Sequence, residues 1–276
     1  MALAFHTISD KDTMPDRHFS NLLNAHRSIR QFVDRPVNSE LIDRILEESL
    51  QGSSSSGNLN MVSVIKTFNA ERKTRLYELH FEQPMVLQAP LVLTFCADTF
   101  RTRQWLAQRG ARLNFGNLLS YHVASFDAII LSQTVALALE SHGMGICYMG
   151  TTLHSMKEIS DCLECPDHCV PVTSMVVGWP AEQPTQRDRL PREAWIHNER
   201  YRWPSADDID RLFKDREVKG WNRYRSMGDE IVSEMDQLGI TSLAQYYTSD
   251  MKYAPQVYEQ DSEKLRQLLE AKGFLP

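Results

Sequence analysis

In a chain whose formal net charge is −6, the stretch HRSIR at 26–30 places two arginines, a histidine and a serine within five residues. A guanidinium can take two oxygens of one phosphate or carboxylate, and a hydroxyl adds a short donor. His26, Arg27, Ser28 and Arg30 are therefore the residue types an anion site needs. The bland alternative is a solvated helix end, where basic side chains interact favourably with the dipole. Three further features favour the anion, and they occur in chain order: a serine run at 53–56, the turn Tyr148-Met149-Gly150-Thr151 after an apolar segment, and a second arginine pair, Arg187 and Arg189, after Gly178-Trp179-Pro180.

No metalloprotease helix, nucleophile elbow or P-loop occurs, and GMGICYMG at 143–150 is not a dinucleotide fingerprint. Such a chain points to chemistry carried by a cofactor, with the protein supplying position and electrostatics. CLECPDHC at 162–169 invites a zinc reading through Cys162, Cys165, His168 and Cys169. Ligands packed so closely in sequence, across a helix end and Pro166, reach a tetrahedron poorly, and cysteine also behaves as a small buried hydrophobe. They are expected as core or surface cysteines, with no metal. His80, His122, His142, His154 and His197 are not at ligand spacing.

The 276 residues, 42% apolar and 24% charged, describe an ordinary globular protein able to bury a substantial core. Mild acidity speaks against nucleic acid as a partner, because neutralising phosphates requires a basic face. The most apolar stretch, 126–140, is bounded by Asp127 and Glu140 and interrupted by Ser132, Gln133 and Thr134. It reads as too short to cross a membrane. The N-terminus lacks the basic region and long apolar core of a signal peptide, and five cysteines is an odd count. Both lead to the expectation of a cytoplasmic protein without a disulfide framework.

Apolar periodicity predicts helices at 16–26, 39–50, 71–79, 125–141 and 154–163, with Asn38 and Asn69 as N-caps. Strands are predicted at 61–68, 90–97, 146–150 and 172–180, and 52–58 is a loop. The helix at 125–141 is apolar on nearly every face, so it belongs in the centre of a domain or in a subunit interface. Residues 184–205 read as an extended arm and 206–276 as a helical C-terminal extension, with a poorly patterned basic stretch at 214–225. Helices and strands mix without strict βαβ alternation, which predicts a single α+β domain over 1–276.

HRSIRQF, the serine run, GICYMGT, VVGWP and RDRLP, in this order and spacing, resemble the nitroreductase and flavin reductase superfamily. Within it they look most like the oxygen-insensitive NADPH nitroreductases and the NADPH-dependent flavin reductase. The resemblance covers residues 18–201 well and the remainder loosely. It implies a nitroreductase-like α+β fold with a mixed, mostly antiparallel central sheet flanked by helices, in an intertwined homodimer with extended arms and one FMN per subunit at the interface. By the same resemblance His26, Arg27, Ser28 and Arg30 bind the FMN phosphate and ribityl chain, and Arg187 and Arg189 close on the phosphate and the ring edge. Ser54 and Ser55 reach the flavin of the neighbouring subunit, Gln83 contacts the ring or ribityl, and the backbone of Tyr148, Met149, Gly150 and Thr151 lies beside ring N5 and O4. Ser56 and Asn58 would face substrate. Arg216, Lys219, Arg223 and Arg225 stand where relatives use a mobile loop for the NADPH 2′-phosphate, the bland reading being a solvated charged face.

The activity implied is ping-pong: NADPH or NADH delivers a hydride to FMN, then a nitroaromatic, quinone or similar small acceptor takes two electrons, with no side chain required as catalyst. Three other readings stand beside it: a flavin reductase that releases reduced FMN, a non-catalytic flavin-binding protein, and a zinc-binding interaction protein built on CLECPDHC. The chain departs from the family pattern at Thr151 for the second glycine of a Gly-Gly, at Arg187-Asp188-Arg189 for Lys-Pro-Arg, at Gly57-Asn58 for an aromatic, and at Asn60 for a glutamine. These changes bear on acceptor preference more than on FMN binding.

Overall fold

The computed structural model describes residues 18–276, so the first two residues of the helix expected at 16–26 lie outside them. Asparagine side chains set the early helices. After α1 (His18–Ala25), Asn38 accepts from the backbone N–H of Glu40 and Leu41 and starts α2 (Ser39–Gln51). Strand β1 (Val62–Thr67) follows, and Asn69 accepts from Arg72 N to start α3 (Ala70–Leu79). These caps satisfy N–H groups that a helix start leaves open. A single turn, α4 (Met85–Gln88), leads into β2 (Leu91–Asp98), in which every residue is buried.

The chain then forms α5 (Phe100–Gln108), α6 (Leu118–Ser141), β3 (Gly145–Met149), α7 (Met156–Cys162) and β4 (Cys169–Gly178). The sheet order is β1-β2-β4-β3, and all three pairings are antiparallel. Its α+β architecture is the one expected. One face packs on α2 and α6 through Ile42, Ile45, Leu131 and Val135, and the other on α3 and α7 through Leu76, Leu79 and Ile159. Helices on both sides explain why β2 reads as a continuous apolar run.

Three differences from the expected elements have physical causes. Helix α6 starts well before residue 125 because Asn117 caps it, accepting from Ser120 N. At 24 residues it is long and apolar enough to cross a membrane by length and composition, which the shorter helix was not. It is instead a core helix, with Ala124, Ala128, Leu131, Val135 and Leu139 buried. The stretch 214–225, expected to be poorly patterned, is the second half of α8 (Ala206–Arg225), opened by a capping box of Ser205 and Asp208. Its pattern is weak because it packs on only the short helices α9 (Asp229–Gln237) and α10 (Leu243–Tyr247). The last helix, α11 (Pro255–Ala271), returns to α7. Residues 184–205 hold no helix or strand beyond one 3₁₀ turn at Arg192–Ala194.

The HRSIR segment leaves α1 and crosses the ends of β3 and β4. Ile29 N donates to Ile146 O (2.9 Å), Val33 N to Trp179 O (2.9 Å) and Ala181 N to Gln31 O (2.9 Å). This crossing requires glycine on both strands. Gly145 and Gly178 are register partners, and an added Cβ would lie 2.6 Å from Ile29 Cγ1 at the first and 2.7 Å from the Phe32 ring at the second. A Cβ at Gly150 would meet nothing within 4 Å. Gly178→Ala should therefore lower stability by roughly 1–3 kcal/mol, the range for overpacking a close contact. Gly150→Ala should leave the urea midpoint nearly unchanged, and equal midpoints for the two variants would disprove the close crossing.

Candidate active site

The crossing carries the arginine cluster to the arm. A cavity of about 230 Å³ is lined by His26, Arg27, Ser28 and Arg30 together with Pro184, Thr185, Arg187 and Arg189. The two arginine pairs thus meet in space although more than half the chain separates them. Among the described residues none of these four arginines is in an ion pair. Arg189 Nη1 reaches only the carbonyls of Arg187 and Asp188, and Arg27 Nε is buried with no hydrogen-bond partner. A buried guanidinium nitrogen without an acceptor is costly, so the cavity suits an anion.

Nearby acids are directed elsewhere. His26 Nδ1 lies 2.6 Å from Glu140 Oε1, and burial pushes the Glu140 carboxyl up, with the His26 contact only partly offsetting it. Glu182 Oε1 accepts from the backbone N–H of Arg30 (2.5 Å) and Gln31 (3.0 Å). Asp188, the acid of the Arg187-Asp188-Arg189 triplet, faces Arg216, with Oδ2 3.7 Å from Nε.

Arg30 also borders a second cavity of about 660 Å³, lined by Gln83, Gly150, Thr151, His154, Tyr253 and Tyr258 among others. Gly150 and Thr151 open the 3₁₀ turn Gly150–His154 at the end of β3. Tyr148 and Met149, expected beside them, line neither cavity: the Tyr148 hydroxyl donates to Ser132 (3.1 Å) and Met149 is buried in the core. Thr151 is held from behind. His80 Nδ1 lies 2.9 Å from Thr151 Oγ1, and Gln83 Nε2 donates to the same oxygen (3.3 Å) and to His80 O (3.1 Å). Burial holds His80 at a pKa of about 4, so it is neutral at pH 7, and its Nε2 is buried without a partner. The tautomer with its proton on Nδ1 leaves a bare lone pair at Nε2, the cheaper group to bury. In that tautomer Thr151 Oγ1 receives two hydrogen bonds and its own O–H is free to donate into the cavity.

The serine loop is positioned by an acid the sequence reading treated only as a boundary. Asp127 of α6, 3% exposed, accepts from the Ser55 hydroxyl (2.6 Å) and from the backbone N–H of Ser56 (3.3 Å) and Met61 (3.0 Å). Ser55 therefore points inward, whereas Ser54, Ser56 and Asn58 are exposed. None of the four lines either cavity of its own chain. An acid inside an apolar helix was the available signal, since a buried carboxylate must find donors. His154 and Asp261, Tyr253 and Tyr258 also escaped sequence reasoning: His154 Nδ1 hydrogen-bonds the Asp261 carboxylate and meets the Tyr258 ring edge-on, contacts made once α11 packs beside α7.

The basic stretch compared with a mobile loop is helical. Arg216, Lys219, Arg223 and Arg225 lie on α8, where Lys219 pairs with Asp215 (3.4 Å), Arg223 sits over Tyr224 and Arg225 pairs with Asp236 (3.8 Å). Arg216 is used to hold the arm through Asp188.

An arginine-lined cavity and an aromatic-rimmed cleft that share Arg30, on an α+β scaffold, suit an anionic ligand with a second binding space beside it. The chain belongs to the Nitroreductase family, which it matches over residues 23–179. It is 33% identical over 256 residues to the FMN reductase [NAD(P)H] of Bacillus subtilis, covering 91% of this chain and 96% of that one. With the oxygen-insensitive NADPH nitroreductase of Salmonella typhimurium it shares 32% identity over 180 residues, 65% of this chain and 73% of the other. A solved structure from Bacteroides fragilis superposes with a TM-score of 0.82 at 36% identity, covering 93% of this chain and all of that one.

The buried neutral His80 predicts a pH dependence. Its unfolded pKa is near 6.5 and its folded pKa about 4, so the unfolded chain binds the extra proton between those values. The stability it supports is complete above pH 6.5 and falls as pH drops through that window, by roughly 3 kcal/mol in total. Urea unfolding from pH 7 to 4.5 should show this slope, and His80→Gln should flatten it; an unchanged slope would assign the acid sensitivity to other groups.

Proposed function

We propose that this chain is an FMN-dependent NAD(P)H oxidoreductase that passes two electrons to nitroaromatics, quinones or similar small acceptors, working as a cytoplasmic homodimer. The observation that supports it best is the pair of cavities sharing Arg30. Arg27, Arg30, Arg187 and Arg189 would hold the FMN phosphate, and the unpartnered Arg27 Nε is the donor that a phosphate oxygen would satisfy. Gly150, whose Cβ position is open, admits a flat ring against its backbone. Bound FMN supplies hydride acceptance and return at ring N5. Thr151 would offer the bound ring a hydroxyl donor, and Tyr253, Tyr258 and His154 narrow the space that reductant and acceptor would occupy in turn. Sharing that space makes the kinetics ping-pong.

The homodimer rests on uncovered apolar surface. Leu119 (72% exposed), Phe126, Ile129 and Ile130 lie on the outer side of α6, and Trp195, Tyr201 and Trp203 (86% exposed) lie on the arm. A second copy would bury these and bring its Ser54 toward this chain's cleft. Phe126→Asp should shift the sedimentation coefficient to that of a monomer and release the flavin. A dimer that survives the substitution with flavin retained would place the interface elsewhere.

A flavin reductase is the second reading, favoured by the name of the Bacillus subtilis relative. Steady-state rates with free FMN and with a nitroaromatic separate the two, since saturation and preference for free FMN would establish the reductase. Arg27→Ala and Arg30→Ala should each weaken FMN retention by tenfold or more, as loss of a charge-assisted contact of about 1.5–3 kcal/mol requires. A purified chain that stays colourless after reconstitution with FMN would overturn the proposal.

A further inference from the structure

Three of the five cysteines converge at a point remote from the arginine cavity. Cys96 of β2, Cys165 after α7 and Cys169 at the start of β4 have sulfurs all within 4.8 Å of one another, and all three residues are buried. The set differs from the one CLECPDHC suggests: Cys162 is half-buried outside the group, and His168 turns its ring edge-on to Phe274. The strand register makes the cluster. Cys169 pairs with Asp98 and Cys96 with Pro171, so Cys96 and Cys169 share a sheet face, and a bulge beside Cys96 adjusts its aim. Cys165 is brought beneath by a tight loop in which Glu164 and His168 both adopt left-handed backbone (φ 55° and 59°). The C-terminal tail closes the loop: Lys272 Nζ donates to Cys165 O (2.5 Å), and His168 N donates to Lys272 O (2.9 Å).

We propose that Cys96, Cys165 and Cys169 form a three-sulfur site for one thiophilic closed-shell cation of the zinc or copper(I) type. A metal–sulfur bond of about 2.3 Å sets sulfur–sulfur separations at about 3.8–4.0 Å, within the spread of this cluster. Soft sulfur ligands select zinc and copper(I) over oxygen-seeking cations. Among the described residues no histidine, carboxylate or fourth cysteine joins the group. The set therefore suits three-coordinate copper(I), or zinc completed by an outside ligand. The Lys272 ammonium beside Cys165 offsets part of the negative charge that three thiolates bring. Each sulfur that binds releases its proton to solvent, so loading is favoured as pH rises. Entry is under the exposed residues Glu164, Pro166 and Asp167, with Cys165, 8% exposed, the most reachable sulfur. A bound ion would tie β2 to the 162–169 loop and, through Lys272, to the tail.

The test uses the full-length chain, reduced under anaerobic conditions and titrated separately with Zn(II) and Cu(I), with metal counted after desalting against a competing chelator. One equivalent of one of these ions should be retained per chain. Cys96→Ala and Cys169→Ala should weaken retention at least tenfold, and Cys162→Ala should not. Retention of neither ion, or equal retention in Cys96→Ala, overturns the proposal. Should the alanine variants fail to fold, peptide mapping of alkylated wild-type protein replaces them: loading must protect Cys165, and a retained ion that leaves Cys165 as reactive as in the metal-free chain places the metal elsewhere and overturns the assignment.

Discussion

The crossing of residues 29–33 over the ends of β3 and β4 is the constraint from which the site follows. Gly145 and Gly178 leave no room for a side chain, and the backbone of Ile29, Gln31 and Val33 is hydrogen-bonded to Ile146, Ala181 and Trp179. Ile29 and Phe32 are buried beneath, Arg30 and Gln31 between them are exposed, and His26, Arg27 and Ser28 before them are half-buried at the cavity. Ile29 and Phe32 thus anchor the segment on the core, while Arg27 and Arg30 line the cavity. The arm beginning after Pro180 leaves from the same crossing, which is why Arg187 and Arg189 arrive at Arg27 and Arg30 without a helix or strand of their own.

Charge allocation completes the cavity. Four arginines would ordinarily attract the carboxylates around them, and three acids are close at hand. Each has another partner: Glu140 has His26, Glu182 has two backbone N–H groups, and Asp188 has Arg216. The guanidinium groups are left for a ligand, and the chain's net charge of −6 does not neutralise them locally. Arg216 therefore draws one acid away from the four arginines.

What could be read from the sequence divides along the range of the interactions. Asn38, Asn69 and the apolar run of β2 act within a few residues, and their elements emerged where expected. The HRSIR cluster and the Arg187–Arg189 pair were visible as residue types, while their meeting rests on glycines whose role appears only in three dimensions. Helix α5 has no strong period, and α6 begins at a cap that its apolar centre masked. The inward turn of Ser55, the support of Thr151 by His80 and the aromatic rim from Tyr253 and Tyr258 depend on contacts between distant segments. No local pattern encodes such contacts.

The departures from the family pattern are coupled to backbone and hydrogen bonds. Gly57, Asn58 and Asn60 all have left-handed backbone (φ 60°, 54° and 50°), the region that glycine and asparagine tolerate and bulky residues avoid. An aromatic at 58 would be strained in that region, although Phe81 and Phe115 adopt it elsewhere in the chain, and the strain would fall on a loop held by the Asp127 contacts of Ser55, Ser56 and Met61. Thr151 is likewise matched to its surroundings: with glycine there, His80 Nδ1 and Gln83 Nε2 would both lose the oxygen they share, leaving a second unpaired nitrogen on a histidine that already buries one. These substitutions thus belong to local networks that would have to change together, which ties the small serine loop and the threonine turn to this chain's own packing.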